Sequence, residues 1–337
     1  DIIIRSYGIV PFKNKGIKAE FVDTRSLIKT DNHFGSAHVD FEQTYKNIAG
    51  YFHKSKKSLK IITGFIGSTE NNETTTLGRG GSDYTASLFG AAIKASKIEI
   101  WTDVDGVLTA DPRKVKSAFN ISRMTYQEAM EMSHFGAKVI YPPTMRPLLS
   151  SKIPLVIRNT FNPKFRGTVV STGTSNKFLI KGISSVEDIA VLLLQGSGML
   201  GTPGIVARLF SALAKSAINI ILITQASSEH TICFAIDPKQ TKKAKIAIQE
   251  EFKDEIKDGL IDPLIIEDHL AIIAVVGDHM RKTVGIAGKL FTALAEVKIS
   301  IIAIAQGSSE RNISFVVASK NETKALNAIH KTFFEER

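Results

Sequence analysis

Hydrophobic and polar positions along this chain follow two different rhythms, and the change comes near residue 180. Before it, apolar runs at 18–22, 59–63, 98–102 and 154–158 read as strands, alternating with helical spacing at 40–55, 83–94 and 125–135. Such alternation predicts a mainly parallel sheet covered by helices on both sides. The third helix is announced by Thr125-Tyr126-Gln127-Glu128, a capping box. Past residue 180 the order is strand (189–194), loop, helix (204–216), strand (218–224), a turn at Ser227-Ser228-Glu229, strand (231–236) and a Lys/Glu-rich helix (241–257). That order recurs. Residues 195–236 and 276–317 align without a gap at an offset of 81, with 20 identities in 42 positions. Met199 pairs with Met280, Gly204 with Gly285, Leu209-Phe210 with Leu290-Phe291 and Gln225 with Gln306, and the second copy closes with a helix over 322–334. Each copy reads as a βαββαβ unit with its helices on one face of an antiparallel sheet. The expected organisation is one domain at 1–180 and two modules at 181–265 and 266–337, with interleaving of the two left open.

Chemistry concentrates in one loop of the first domain, Thr76-Leu77-Gly78-Arg79-Gly80-Gly81-Ser82-Asp83. Its glycines permit positive φ and close approach to a ligand, and Ser82 is a good N-cap for the helix expected to follow. Arg79 and helix-start amides suit a carboxylate or phosphate, and Asp83 beside them suits an ammonium group. A free amino acid carries both; the plain alternative is a surface loop with a stray arginine. Ligands of such sheets gather beyond the carboxyl ends of the strands, where Gly64-Phe65-Ile66-Gly67 and Trp101-Thr102-Asp103-Val104-Asp105-Gly106-Val107 also fall. Asp105-Gly106 and Asp111-Pro112 are common turn sequences, so a structural role competes with a chemical one there. Gly196-Ser197-Gly198-Met199-Leu200-Gly201 spells a dinucleotide fingerprint, yet no acidic residue ends the next strand and the duplicate keeps only Gly277 of the three glycines.

These loops, with Ala110-Asp111-Pro112-Arg113 and Phe135-Gly136-Ala137-Lys138-Val139, resemble the second half of the aspartate kinase domain in the amino-acid kinase family. The duplicated region resembles a pair of ACT domains, modules that bind free amino acids at their junction; the spelling is nearest to the bifunctional aspartokinase-homoserine dehydrogenases. The resemblance implies a three-layer α/β/α amino-acid kinase-like domain, its amino-terminal part missing, followed by two ferredoxin-like ACT domains. By motif, Phe65, Thr76, Arg79, Gly80, Gly81, Ser82 and Asp83 would hold L-aspartate, with Arg79 on its α-carboxylate and Asp83 near its amine. Thr102, Asp103, Arg113, Lys138 and Val139 match ATP-contact positions, and Leu108 stands where many relatives have a tyrosine. Lys138, Arg79 and Asp83 become the catalytic candidates, and Met199, Gln225, Met280 and Gln306 the effector contacts. The implied reaction is ATP-dependent phosphorylation of the aspartate side chain to 4-phospho-L-aspartate, restrained by threonine or lysine, in a homodimer or larger assembly. Its acceptor is ionised near neutrality, so the obstacle is charge repulsion between anions, to be offset by Lys138, Arg113 and Mg2+. The alternative is a regulatory fragment that senses an amino acid without turnover, because the family's Lys-Phe-Gly-Gly loop is not found; further amino-terminal sequence, and unseen residues between Gly8 and Lys13, are expected.

Composition bounds the rest. The chain has 337 residues, 43% of them hydrophobic and 23% charged, as in ordinary globular proteins. Its single cysteine, Cys233, lies in an apolar run, which excludes a disulfide framework, and a cytoplasmic protein is expected. A formal charge of +10 would help to collect anionic substrates; no recognition-helix or zinc-finger pattern points to nucleic acid, and no long apolar run points to a membrane. The eight histidines show no metal-ligand spacing, so no protein-bound metal site is expected from them.

Overall fold

The computed structural model describes residues 15, 16, 18–54, 59–136, 140–173, 178–225, 230–280, 282–307 and 309–335. They fall into two units, Asp1–Val107 with Asn120–Ser175, and Leu108–Phe119 with Asn176–Arg337. Among the described residues, no helix is long and apolar enough to cross a membrane.

In the first unit β1 (Ala19–Val22) pairs in parallel with β2 (Leu59–Ile62), and α1 (Phe41–Lys54) lies between them in sequence. Ile48 of α1 joins Val22, Ile28, Leu77, Leu88 and Phe89 in one buried cluster. A hairpin that the pattern did not predict, β3 (Ile66–Ser68) and β4 (Thr74–Thr76), leads into α2 (Gly81–Ala92). A second sheet contains β5 (Ile98–Thr102), β6 (Arg123–Thr125), β7 (Leu155–Asn159) and β8 (Thr168–Ser171) in the order β5-β7-β8-β6. It is mixed: β5–β7 and β6–β8 run parallel, as expected, but β7 and β8 run antiparallel. Their short connection cannot hold the dozen or so residues that a parallel crossover needs. The remaining helices are α3 (Tyr126–His134) and α4 (Pro142–Ser151). The expected capping box opens α3: Thr125 Oγ1 accepts from Glu128 N at 3.1 Å, and Thr125 N donates to Glu128 Oε2 at 2.8 Å. Proline content hid α4, although Pro142 at its first position needs no amide partner.

The second unit is a six-stranded antiparallel sheet, formed by β9 (Gly182–Gln195), β10 (Ile220–Gln225), β11 (Thr231–Ile236), β12 (Ile265–Val276), β13 (Ala303–Gln306) and β14 (Asn312–Ala318). Its order is β10-β11-β9-β12-β14-β13, and the end strands β10 and β13 also approach each other. Helices α5 (Ile205–Lys215), α6 (Thr241–Glu251), α7 (Lys253–Lys257), α8 (Ile286–Glu296) and α9 (Glu322–His330) complete it. The helix expected at 241–257 breaks at Phe252, which turns fully into the core. Two long strands stitch the modules together: β9 pairs through residues 190–195 with β11 and through residues 182–186 with the far half of β12. The duplication reaches the backbone. Positive φ recurs at Asp188 and His269, Gly204 and Gly285, and Ala217 and Lys298, each pair at the sequence offset. A Cβ on Gly196 would fall 2.2 Å from Leu260 O, and one on Gly277 would fall 2.7 Å from the equivalent Leu179 O, so both loops admit only glycine.

Residues Leu108–Phe119, expected within the first domain, group with this second unit. Ala110 and Val115 enter the buried cluster of Ile183, Leu290, Phe315 and Leu326. Ile183 N donates to Thr109 O at 2.7 Å, and Asn327 Nδ2 donates to Lys114 O at 2.9 Å. Lys114 Nζ reaches Glu322 Oε1 at 2.6 Å and also pairs with Glu187. The fully buried His330 bonds to Thr109 Oγ1 at 2.9 Å and to Ser117 Oγ at 3.1 Å.

Candidate functional site

The glycine-rich loop is built around a backbone requirement. Gly80, with φ of 66°, is the N-cap of α2, so the helix starts at Gly81, and Ser82 lies in its first turn instead of capping it. Only glycine serves at residue 80, because an added Cβ would sit 2.4 Å from Tyr141 Cβ. Phe65, at φ 76°, packs beside Gly81, where an added Cβ would meet its ring at 2.7 Å. One hydroxyl ties the two together: Thr85 Oγ1 donates to Gly81 O at 2.8 Å and accepts from Phe65 N at 3.1 Å. Leu77 N donates to Phe65 O at 2.9 Å, and β3 aligns Ile66 opposite Thr76. Beneath them, Thr24 Oγ1 donates to Ile66 O at 2.8 Å and lies 2.8 Å from Thr63 Oγ1, fixing the exit of β2.

Phe65, Thr76, Gly80, Gly81, Ser82 and Asp83 are thus brought onto one folded knot, and Arg79 belongs to the same turn. Arg79 is exposed and forms no ion pair among the described residues. The Asp83 carboxyl is half-buried, and burial pushes its pKa above the ordinary carboxylate value, with no described cation beside it to oppose the shift. A cationic side chain and a desolvated carboxylate, neither with an oppositely charged partner among the described residues, suit a zwitterion. Thr85 and Tyr141 escaped the sequence reading, since neither carries reactive chemistry; the threonine in the first turn after Gly81 was the available signal.

The other expected residues are placed less uniformly. Thr102 ends β5, and its hydroxyl donates to Asp103 Oδ1 at 3.1 Å, with Asp103 exposed. Asp105 is structural: its Oδ1 accepts from Asn159 Nδ2 at 2.9 Å and from Asn162 Nδ2 at 3.3 Å. Lys138 and Val139 lie outside the described residues. Leu108 and Arg113 belong to the second unit, where Arg113 makes a two-pronged pair with Asp111 that holds that carboxyl below its usual range. Gln225 and Gln306 stand exposed at the ends of β10 and β13, whereas Met199 and Met280 are buried in the two module cores. The dinucleotide-like run around Gly196 follows an antiparallel strand, and this geometry is not that of a nicotinamide-binding crossover.

Comparison with known proteins finds two kinds of match along the chain. Residues 9–159 match the amino acid kinase family, and residues 192–252 and 273–333 each match the ACT domain. The bifunctional aspartokinase/homoserine dehydrogenase of Haemophilus influenzae is 40% identical over 327 residues, covering 97% of this chain and 40% of that protein. The chain therefore spans about two fifths of the length of that curated relative. Aspartokinase III of E. coli, solved with aspartate and ADP in its R-state, is 30% identical with a TM-score of 0.80 over 96% of this chain and 71% of that one. The same enzyme with lysine and aspartate in its T-state gives 32% identity and a TM-score of 0.78, covering 97% of this chain and 72% of that one. Similarity along nearly the whole chain, over a glycine-rich loop and twin modules of matching kind, places the protein in the aspartate kinase family.

Proposed function

We propose that this chain phosphorylates the side chain of L-aspartate with ATP and that an amino acid bound at the ACT modules restrains it. The observation that carries the reading is the knot of Phe65, Thr85 and Gly81, which sets Arg79, without an ion pair among the described residues, and desolvated Asp83 on one turn. Arg79 would take the α-carboxylate and Asp83 the ammonium group, leaving the side-chain carboxylate as nucleophile. A carboxylate oxygen attacks the γ-phosphorus, the bond to the β–γ bridging oxygen breaks, and ADP leaves with that electron pair. No general base is needed, so positioning and charge neutralisation do the catalytic work. Asp103, exposed and bonded through Oδ1 to Thr102, is the kind of hard oxygen donor that suits a phosphate-held Mg2+. Bound there, the ion would offset the negative charge of the phosphates.

Lysine in the T-state relative and the kinship with bifunctional enzymes leave lysine and threonine as the proposed effectors, with Gln225 and Gln306 as their contacts. Both glutamines are exposed on end strands that approach each other, and an amide offers both a donor and an acceptor. A homodimer is the proposed assembly. Hydroxamate trapping of acyl phosphate from aspartate and ATP tests the reaction, and Arg79→Ala should lower kcat/KM for aspartate about 100-fold with the ATP KM little changed. Unchanged aspartate kinetics would remove the assignment. Calorimetry with threonine and lysine separates the effectors, and effector binding without hydroxamate formation would favour a sensor.

A further inference from the structure

Three side chains with no part in the proposed phosphoryl transfer converge in the loop between β1 and α1. Ligand atoms of Asp31, His33 and His38 all lie within 4.8 Å of one another. Each imidazole Nδ1 is 2.8 Å from the same oxygen, Asp31 Oδ2. The other oxygen, Oδ1, accepts the backbone N–H of His33 at 3.1 Å and of His38 at 2.9 Å, so the carboxylate is oriented independently of the rings. The loop is closed by the Thr30–Val39 bridge and by Asp31 N donating to His38 O at 3.0 Å. The rings stand nearly perpendicular, at 87°, with centroids 5.3 Å apart, so the two nitrogens reach one point without stacking. Two imidazoles beyond hydrogen-bonding reach of one oxygen would be an ordinary exposed surface; here both are gathered on it by a backbone-locked carboxylate.

We propose that Asp31, His33 and His38 form a two-histidine, one-carboxylate site for Zn2+, completed by water. Imidazole nitrogens suit zinc, whereas Mg2+ and Ca2+ prefer all-oxygen sets. Tetrahedral bonds of about 2.0–2.1 Å set neighbouring ligand atoms roughly 3.3 Å apart, so each 2.8 Å Nδ1–Oδ2 separation needs to open by about half an ångström to admit the ion. The backbone amides on Oδ1 act as the outer partners that orient a metal-bound carboxylate. Binding exchanges the Nδ1 protons for the metal: a neutral ring moves its proton to Nε2, and a protonated ring releases one. The site is tied to the aspartate loop, because Ala37 N donates to Thr76 O at 3.0 Å and Gly35 O lies 3.2 Å from where a Gly78 Cβ would fall. Zinc would therefore brace the segment that backs the Thr76–Asp83 turn.

Isothermal titration of the intact chain with ZnCl2 in a non-chelating buffer tests the site, with Co2+ absorption reporting the ligand field. One ion per chain is expected, unaffected by excess Mg2+. His33→Ala and His38→Ala should each weaken binding about tenfold or more, and the double variant should abolish it. Both side chains are largely exposed, 68% and 78%, so the variants should keep the parent circular dichroism. Affinity should also fall at least about tenfold between roughly pH 7.5 and pH 5.5, because protons compete with the metal for the ring nitrogens. Absence of binding, or equal binding in the double variant, would overturn the proposal. Loss of stability in the double variant without any zinc uptake by the parent would assign these residues to loop capping instead.

Discussion

Lys114→Met should unfasten the segment Leu108–Phe119 from the second unit. Lys114 is 16% exposed in its side chain and Glu322 only 6%, so removing the lysine strands a nearly buried carboxylate. Breaking a buried pair in this way costs about 3–5 kcal/mol. Glu322 opens α9, whose amide dipole returns about 0.3–1 kcal/mol to the orphaned charge. A net loss of about 2–4 kcal/mol follows, most of it from the orphaned charge. The double variant Lys114→Met/Glu322→Met removes that orphan and should lie within about 1 kcal/mol of the parent. Urea unfolding by circular dichroism gives the energies, and hydrogen exchange at Thr109 and Ile183, whose amides bond within this arrangement, locates the opening. The pH dependence has a defined sign. Burial alone would lower the Lys114 pKa, but hydrogen bonds to Glu187 and Glu322 outweigh it and raise it above 10.5. The pair's stabilisation is therefore complete below that value and fades as pH climbs through the raised folded pKa. Glu187 is held low by Lys114, so its smaller, mostly exposed share is present above pH 4.5 and lost as pH falls through its lowered folded pKa. A single variant losing under about 1 kcal/mol, or a double variant as unstable as the single, would refute this reasoning.

Thr85→Val keeps the shape but leaves Phe65 N without its acceptor, so a loss of about 1–2 kcal/mol and a higher aspartate KM are expected from unfolding and hydroxamate kinetics. Gly80→Ala forces a side chain into positive φ and against Tyr141, which should cost about 2–4 kcal/mol and be visible as a drop in Tm. Asp83→Asn relieves a desolvated charge, and because its folded pKa is raised the gain should appear above that pKa and vanish in acid. Thermal melts across pH check that gain, which should accompany a loss of aspartate use.

The hydrophobic pattern was enough to place β1, β2, β5, β7, α1 and α3, because each is a local amphipathic or apolar run. The duplication was legible for the same reason: equivalent glycines at 204 and 285 and equivalent strands are written in residue identity at a constant offset. So was the candidate glycine-rich loop at 76–83, since arginine, aspartate and glycine announce their chemistry without a partner. What depended on distant partners was not legible. The β3–β4 hairpin is too short to show a period, and Pro142 and Pro147 concealed α4. Asp31, His33 and His38 are spaced unlike a familiar metal motif, and only the folded loop brings them onto one oxygen. Identity along the chain settled which groups exist and what each local segment prefers. Tertiary structure decided which carboxylate is desolvated, where Gly80 starts a helix, and to which unit residues Leu108–Phe119 belong, because burial and pairing energies arise only between segments far apart in sequence.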